Sequence, residues 1–280
     1  MNTSLRNNRL TRRFEALKAE NRAALVVYVA ATDPDVETAT ALMCQLPKAG
    51  ADIIELGMPF TDPMADGPSI QKAALRALDA GACMPKTLDQ VRAFRKTDDT
   101  TPIVLMGYYN PIDSYGAEAF AKDASAAGVD GMIVVDVPPE EAKELHPHLE
   151  ANGIAFICLA TPTSDDQRLP QILKYAGGFL YYVSILGITG TRTAATDAVK
   201  DAVTRIRTHT DLPVAVGFGI KTPENAANMA RISDAAVVGS AVIDRLAAGL
   251  DANGKATPKL IPSVLDFVSQ LASGVRNARR

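Results

Sequence analysis

Short apolar, β-branched runs alternate along this chain with longer stretches in which apolar positions return every three or four residues. Eight such runs are present, at residues 25–30, 52–56, 103–106, 132–135, 155–159, 179–183, 214–216 and 235–238. Several are apolar at nearly every position, as expected for parallel strands buried on both faces. The stretches between them read as helices with legible ends. Residues 35–49 carry Val36, Ala39, Leu42, Met43 and Leu46 on one stripe and stop before Gly50. Residues 140–152 and 165–176 begin acidic and stop at Asn-Gly and Gly-Gly, as helix termini should. A last helix after Pro262 gathers Val264, Leu265, Val268 and Leu271 on one face. Eight strand–helix units at this spacing predict an α/β fold, a closed (β/α)8 TIM barrel forming one domain over residues 1–280. The competing architecture is an open doubly wound sheet. Against it, the turn after the first strand reads Ala31-Thr32-Asp33-Pro34 and has no Gly-rich dinucleotide fingerprint.

The two ends of the chain are less regular. Arg6, Arg9, Arg12 and Arg13 precede the first acid, Glu15, which fits either a piece of an organellar transit peptide or an amphipathic helix. Leu10, Phe14 and Leu17 on one face favour the helix, expected over residues 1–15. Residues 250–280 are expected to form a C-terminal helix and a tail, the final Arg-Asn-Ala-Arg-Arg being a frayed, solvated end.

Composition narrows the function. The apolar share of 47% suits a filled core, and a net charge of −3 argues against a nucleic-acid or anionic-membrane footprint. No apolar run approaches the roughly 20 residues that cross a bilayer. Cys44, Cys83 and Cys158 lack CxxC spacing and read as reduced packing thiols of a cytoplasmic protein. His146, His148 and His209 fall on predicted helices away from strand ends, so no zinc-type site is expected. No lysine sits within a strand as a Schiff-base candidate; Lys221 reads as an exposed residue at a helix entry.

In a β/α barrel the reactive face lies at the C-terminal ends of the strands. After the seventh run stands Gly217-Phe218-Gly219, and after the eighth Gly239-Ser240. Glycine lets backbone N–H groups approach an anion and a following helix adds its positive dipole end, so this pair of loops points to phosphate. The second run ends in Glu55, a carboxylate that burial would drive toward a neutral-range pKa suited to proton transfer, or else a structural ion pair across the barrel mouth. The long loop 58–68 that follows brings a second carboxylate, Asp66, beside it; before Gly-Pro it also suits a plain turn. Residues 184–193, with two glycines and several hydroxyls, suit a lid, and Tyr181 lies in the strand before them. A carbon–carbon lyase built from these groups needs a substrate that accepts a proton and expels its own leaving group.

The run Asp-Ile-Ile-Glu-Leu-Gly-Met-Pro-Phe-Thr-Asp-Pro-Met-Ala-Asp-Gly at 52–67 resembles the signature of the tryptophan synthase alpha subunit family. The likeness extends from about Arg12 to Leu246, through Met106-Gly107-Tyr108-Tyr109-Asn110-Pro111, Val135-Asp136-Val137-Pro138-Pro139-Glu140, 187–190 and Gly217-Phe218-Gly219-Ile220. Thr32 departs from it, standing where a glycine is expected. The resemblance implies retro-aldol cleavage of indole-3-glycerol phosphate to indole and glyceraldehyde 3-phosphate, with no cofactor or metal in this chain. It implies that Glu55 is the acid–base group and Asp66 the carboxylate holding the indole N–H. It further implies that Thr189 meets Asp66 on lid closure, that Tyr181 sits beside Glu55, and that Tyr28 and Met106 wall the indole. Gly190, Phe218, Gly219, Gly239 and Ser240 would take the phosphate. The family works as an α2β2 complex whose beta subunit carries pyridoxal phosphate, and Asp62 and Asn110 resemble partner-facing positions. Three alternatives stay open: a stand-alone lyase releasing free indole, a non-catalytic barrel that regulates a partner, and a sugar-phosphate isomerase.

Overall fold

The computed structural model describes residues 8–184, 192–217 and 219–279. Nine short strands form one fully parallel sheet: β1 Ala24–Ala30, β2 Ile53–Gly57, β3 Ile103–Gly107, β4 Gly131–Val134, β5 Ala155–Phe156, β6 Leu159–Ala160, β7 Leu180–Val183, β8 Val214–Gly217 and β9 Ala235–Val238. Their spatial order, β5-β4-β3-β2-β1-β9-β8-β7-β6, ends on two pieces of the same chain segment. The expected fifth run is split there. Its first half bonds to β4, Ile157 donating to the Met132 carbonyl at 2.9 Å, while the Cys158 carbonyl accepts from Tyr181 of β7 at 3.0 Å. One segment thus hands its ladder from one neighbour to the other, and the sheet closes as a barrel of eight strand positions.

Alternation along the strands separates two cores. Outward-facing residues such as Leu25, Ile54, Leu105 and Val216 pack against the surrounding helices. Inward-facing residues, among them Val26, Ile53, Val104, Ile133, Ile157, Phe179, Ala215 and Val237, fill the barrel. The helix Arg9–Ala19 closes its floor, with Leu10, Phe14 and Leu17 buried in that inner core and Phe14 stacked 5.8 Å from Phe179. Residues 9–19 are therefore helical, a few residues later than expected. Asn8 caps the helix and anchors it, its side-chain amide donating to the carbonyls of Asp130 and Gly153 at 2.8 and 2.9 Å.

Aspartates just before strands repeat one device at this floor. Asp52, Asp130 and Asp234 each accept the N–H of an adjacent strand, from Leu25, Ile103 and Val214, at 2.9 Å. Each also pairs with arginine: Asp52 with Arg22, Asp130 with Arg9 and Arg95, Asp234 with Arg207. Charge at this end serves stability, which leaves the opposite rim for chemistry.

Several expected helices are shorter than their patterns. Residues 35–49 divide into Val36–Met43 and Leu46–Ala49 because Pro47 supplies no N–H to continue the first segment; Asp35 caps the start and Gly50, at φ 105°, the end. Residues 140–152 divide likewise at Pro147 into a 3-10 turn, Ala142–Glu144, and the helix His146–Ala151. Only Leu169–Leu173 of 165–176 is helical, and His209 lies past the helix Arg192–Arg207 rather than on it. The C-terminal helix spans Leu260–Arg276, and the tail is not frayed: Arg279 donates to the carbonyls of Ala230 and Ser233 at 2.9 and 2.6 Å, and Ala278 is buried. Among the described residues no helix is long and apolar enough to cross a membrane.

Candidate active site

Period-two alternation aims Tyr28, Glu55, Met106, Tyr181 and Val237 into the barrel near its C-terminal rim. Tyr28 and Glu55 are register partners on β1 and β2. Two glycines make room for the phenols: a Cβ at Gly57 would overlap the Tyr28 ring, and one at Gly217 the Tyr181 ring. A cavity of about 260 Å³ opens above this layer. Glu55, Asp66, Tyr28, Met106, Tyr181, Gly219, Gly239 and Ser240 all line it. Sequence reasoning therefore gathers eight residues from seven loops and strands around one space. Thr189, Gly190, Phe218 and most of the expected lid lie outside the described residues.

Glu55 is only 2% exposed, and its Oε2 has no hydrogen-bond partner among the described residues. Burial, with the charge of Asp66 adding to it, pushes its carboxyl up to about 8. Among the described residues no cation pairs with it. Asp66 is raised by burial too, but a hydrogen bond from Tyr108 opposes the rise. Because the negative charge of Asp66 contributes to the Glu55 shift, Asp66 ionises first. Their surroundings thus push the two acids apart, Glu55 further toward its neutral form than Asp66, a usual basis for dividing roles between two acids. Burial also drives the phenols of Tyr28 and Tyr181 well above their ordinary range, with Asp66 then Glu55 adding for Tyr28 and Glu55 for Tyr181, so both remain neutral.

The far end of the cavity combines features that favour an anion. Gly219 holds φ 46°, in the left-handed region, and Gly239 precedes the helix Ser240–Ala247. The Gly239 carbonyl accepts from Val242 and Ile243 at 2.9 and 3.1 Å, so the helix begins there; N–H groups of such a first turn have no intrahelical acceptor. Ser240 and Ala241, whose N–H groups these are, both line the cavity. Lys221 is exposed as expected, yet it too lines this space and adds a positive charge.

Ile70, Val183, Val237 and Tyr108 escaped the sequence reading as site residues, and Lys221 was read only as an exposed residue at a helix entry. Val183 and Val237 were discoverable, two positions from Tyr181 and Gly239 on the same strand face. Tyr108 was not, because its role depends on a fold contact: it accepts from the Ala65 N–H at 2.9 Å and stacks 5.4 Å from Phe60.

Asp62 and Asn110 do not line the cavity. Both are exposed, Asp62 beside a shallow depression it shares with Phe60, Met64 and Leu75, Asn110 on the helix Tyr109–Tyr115. Met64 is 79% and Leu75 57% exposed, which marks an apolar surface next to the site. A larger cavity of about 850 Å³ lies between the loop after β4 and the helix Leu169–Leu173, spanned by the Glu140–Arg168 ion pair. It holds none of the expected site residues. Cys158 on its wall is pushed up to about 12 by burial, an inert thiol. Among the described residues no group of three or more metal-ligating side chains gathers.

A family model described as tryptophan synthase alpha chain matches residues 14–271. The tryptophan synthase alpha chain of Acidiphilium cryptum (strain JF-5) is 56% identical over 273 residues, 98% of this chain and 99% of that one. The crystal structure of tryptophan synthase subunit alpha from Legionella pneumophila str. Paris has a TM-score of 0.88 at 40% identity, covering 96% of this chain and 99% of its own. An open form of tryptophan synthase from M. tuberculosis with BRD0059 bound follows at 0.85 and 34% identity, covering 96% and 99%. With these likenesses spanning nearly its whole length, the chain belongs to the tryptophan synthase alpha chain family.

Proposed function

We propose that Glu55 is the acid–base group and Asp66 the indole-holding carboxylate of the alpha reaction, the lyase step of this family, which needs no cofactor in this chain. The observation that carries the assignment is the buried carboxyl of Glu55, whose Oε2 has no hydrogen-bond partner among the described residues and whose pKa is pushed up to about 8, lining a cavity whose other end suits phosphate.

Indole-3-glycerol phosphate binds with its phosphate toward Gly219, Gly239 and Ser240 and its ring between Tyr28, Met106 and Tyr181. Neutral Glu55 donates its proton to C3 of the indole ring, and the ring nitrogen becomes positive. Asp66, accepting from the indole N–H, stabilises that charge. The carboxylate now left on Glu55 takes the proton of the adjacent glycerol hydroxyl. The bond between C3 and the glycerol carbon breaks, its electrons restore the indole, and the glycerol fragment leaves as glyceraldehyde 3-phosphate. Glu55 ends protonated, as it began. Thr189 and Gly190, carried over from the family motif, would close over Asp66 and the phosphate, and Phe218 would border the phosphate loop.

The family brings with it a beta-subunit partner. An α2β2 assembly, with Asp62 and Asn110 on the contact face, is the finer reading. The exposed Met64 and Leu75 beside Asp62 support that face, since an unpartnered apolar surface suits subunit burial. A cytoplasmic location accords with three unpaired cysteines. The test is indole release measured with and without the pyridoxal-phosphate subunit. Strong stimulation by that subunit is expected; full turnover without it would favour the stand-alone lyase instead.

A further inference from the structure

We propose that Tyr108 is the residue that positions Asp66 for its substrate, by tying the end of the loop after β2 to the C-terminal end of β3. The inference rests on the assignment of Asp66 given above.

Tyr108 follows Gly107, the last residue of β3, and holds extended backbone before the helix Tyr109–Tyr115. The next residue, Tyr109, donates its N–H to the Asp136 carboxylate at 2.9 Å, so the loop after β4 fixes this start. The ring of Tyr108 is 2% exposed and lies against Phe60. Its hydroxyl accepts from the Ala65 N–H at 2.9 Å and acts on the neighbouring Asp66 carboxyl, opposing the rise that burial causes there. One atom therefore fixes the backbone of residue 65 and bears on the side chain of residue 66.

The loop has few other ties near that point. Asp66 donates its own N–H to the Pro63 carbonyl within the loop, and its carbonyl accepts from Gln71. Those bonds shape the turn without aiming the carboxylate. A side chain that must meet an indole N–H needs its direction fixed before substrate arrives, since misplacement by about 1 Å can cost 10²-fold in rate. Tyr108 supplies that direction from the end of β3. Its phenol, pushed up to about 12, stays a donor throughout the working range. Donation to the carboxylate favours the ionised form of Asp66 against the burial that raises it. The other titratable groups acting on the pair are Glu55 on β2 and Tyr28 on β1, both facing Asp66, and Asp136, facing Tyr108.

The test compares Y108F, D66N and the double variant, each complexed with the beta subunit, by the rate of indole release across pH. Y108F is expected to lose about tenfold or more in kcat, the scale of a hydrogen bond to a charged group. The acid limb of its pH profile should move to higher pH, as Asp66 becomes harder to ionise. In the D66N background the same change should cost no further activity, because Tyr108 acts through Asp66. F60L removes the stacking but keeps the hydroxyl, and its acid limb should stay at the wild-type position. Wild-type kcat in Y108F, or an equal further loss in the double variant, overturns the positioning role. A D66N enzyme with wild-type activity overturns the assignment of Asp66 itself, which identifies the other failure.

Discussion

Replacing Glu55 with glutamine should stabilise the fold, and increasingly so as pH rises. In the folded protein the Glu55 carboxyl titrates near 8, against 4.5 ordinarily. Below pH 4.5 it is neutral in both states and contributes no difference. Between 4.5 and about 8 the unfolded chain ionises it while the folded chain keeps it protonated, so the folded state binds the extra proton and stability falls with rising pH. The full gap corresponds to about 5 kcal/mol, reached only above pH 8; the loss is about 1 kcal/mol at pH 5 and about 3 kcal/mol at pH 7. Glutamine is neutral throughout and close in shape, so E55Q escapes this loss. The assay is urea unfolding of both proteins at pH 5, 6, 7 and 8, followed by far-UV circular dichroism because the chain has no tryptophan. The stability difference between E55Q and wild type should widen by about 2 kcal/mol from pH 5 to pH 7. A difference independent of pH would refute the neutral, buried carboxyl. A difference that shrinks with pH would mean that Glu55 is an ionised member of an ion pair.

Two further outcomes are expected. Thr32 holds φ 68° and buries a hydroxyl without a partner among the described residues, so T32G removes left-handed strain of about 1–2 kcal/mol and an unsatisfied group, against about 0.5–1 kcal/mol of added chain freedom. Its melting temperature should rise by a few degrees, and a fall would contradict the strain argument. S240D places a carboxylate at the anion end of the cavity and should weaken substrate binding at least tenfold, about 1.4 kcal/mol, by calorimetry; an unchanged Kd would put the phosphate elsewhere.

How far these features were legible in the sequence follows from how local each one is. Strand identity and the inward aim of Glu55, Tyr28 and Tyr181 are matters of period-two alternation, and the glycines at the ends of β8 and β9 mark themselves. The fifth strand reads as one run because its residues are uniformly apolar; its division depends on which neighbour each half meets, which no local pattern encodes. Pro47 and Pro147 were visible, but an apolar stripe continued across Pro47, and the acidic start and Asn-Gly end framed 140–152 as one helix. Arg279 looks like a solvated end until the carbonyls of Ala230 and Ser233 are brought to it. Tyr108 has the same character, its partners lying some forty residues away along the chain.

The most direct test of the account is single-turnover indole release by E55Q in complex with the beta subunit, alongside ligand binding by the same protein. Glutamine preserves the shape of Glu55 but cannot exchange a proton with C3 or with the glycerol hydroxyl. The account predicts a rate lower by at least the roughly 10²–10⁴-fold typical of general acid–base catalysis, with affinity little changed because phosphate and ring contacts lie on other elements. An E55Q enzyme that keeps more than about a tenth of the wild-type rate, far above that range, would remove Glu55 from the chemistry.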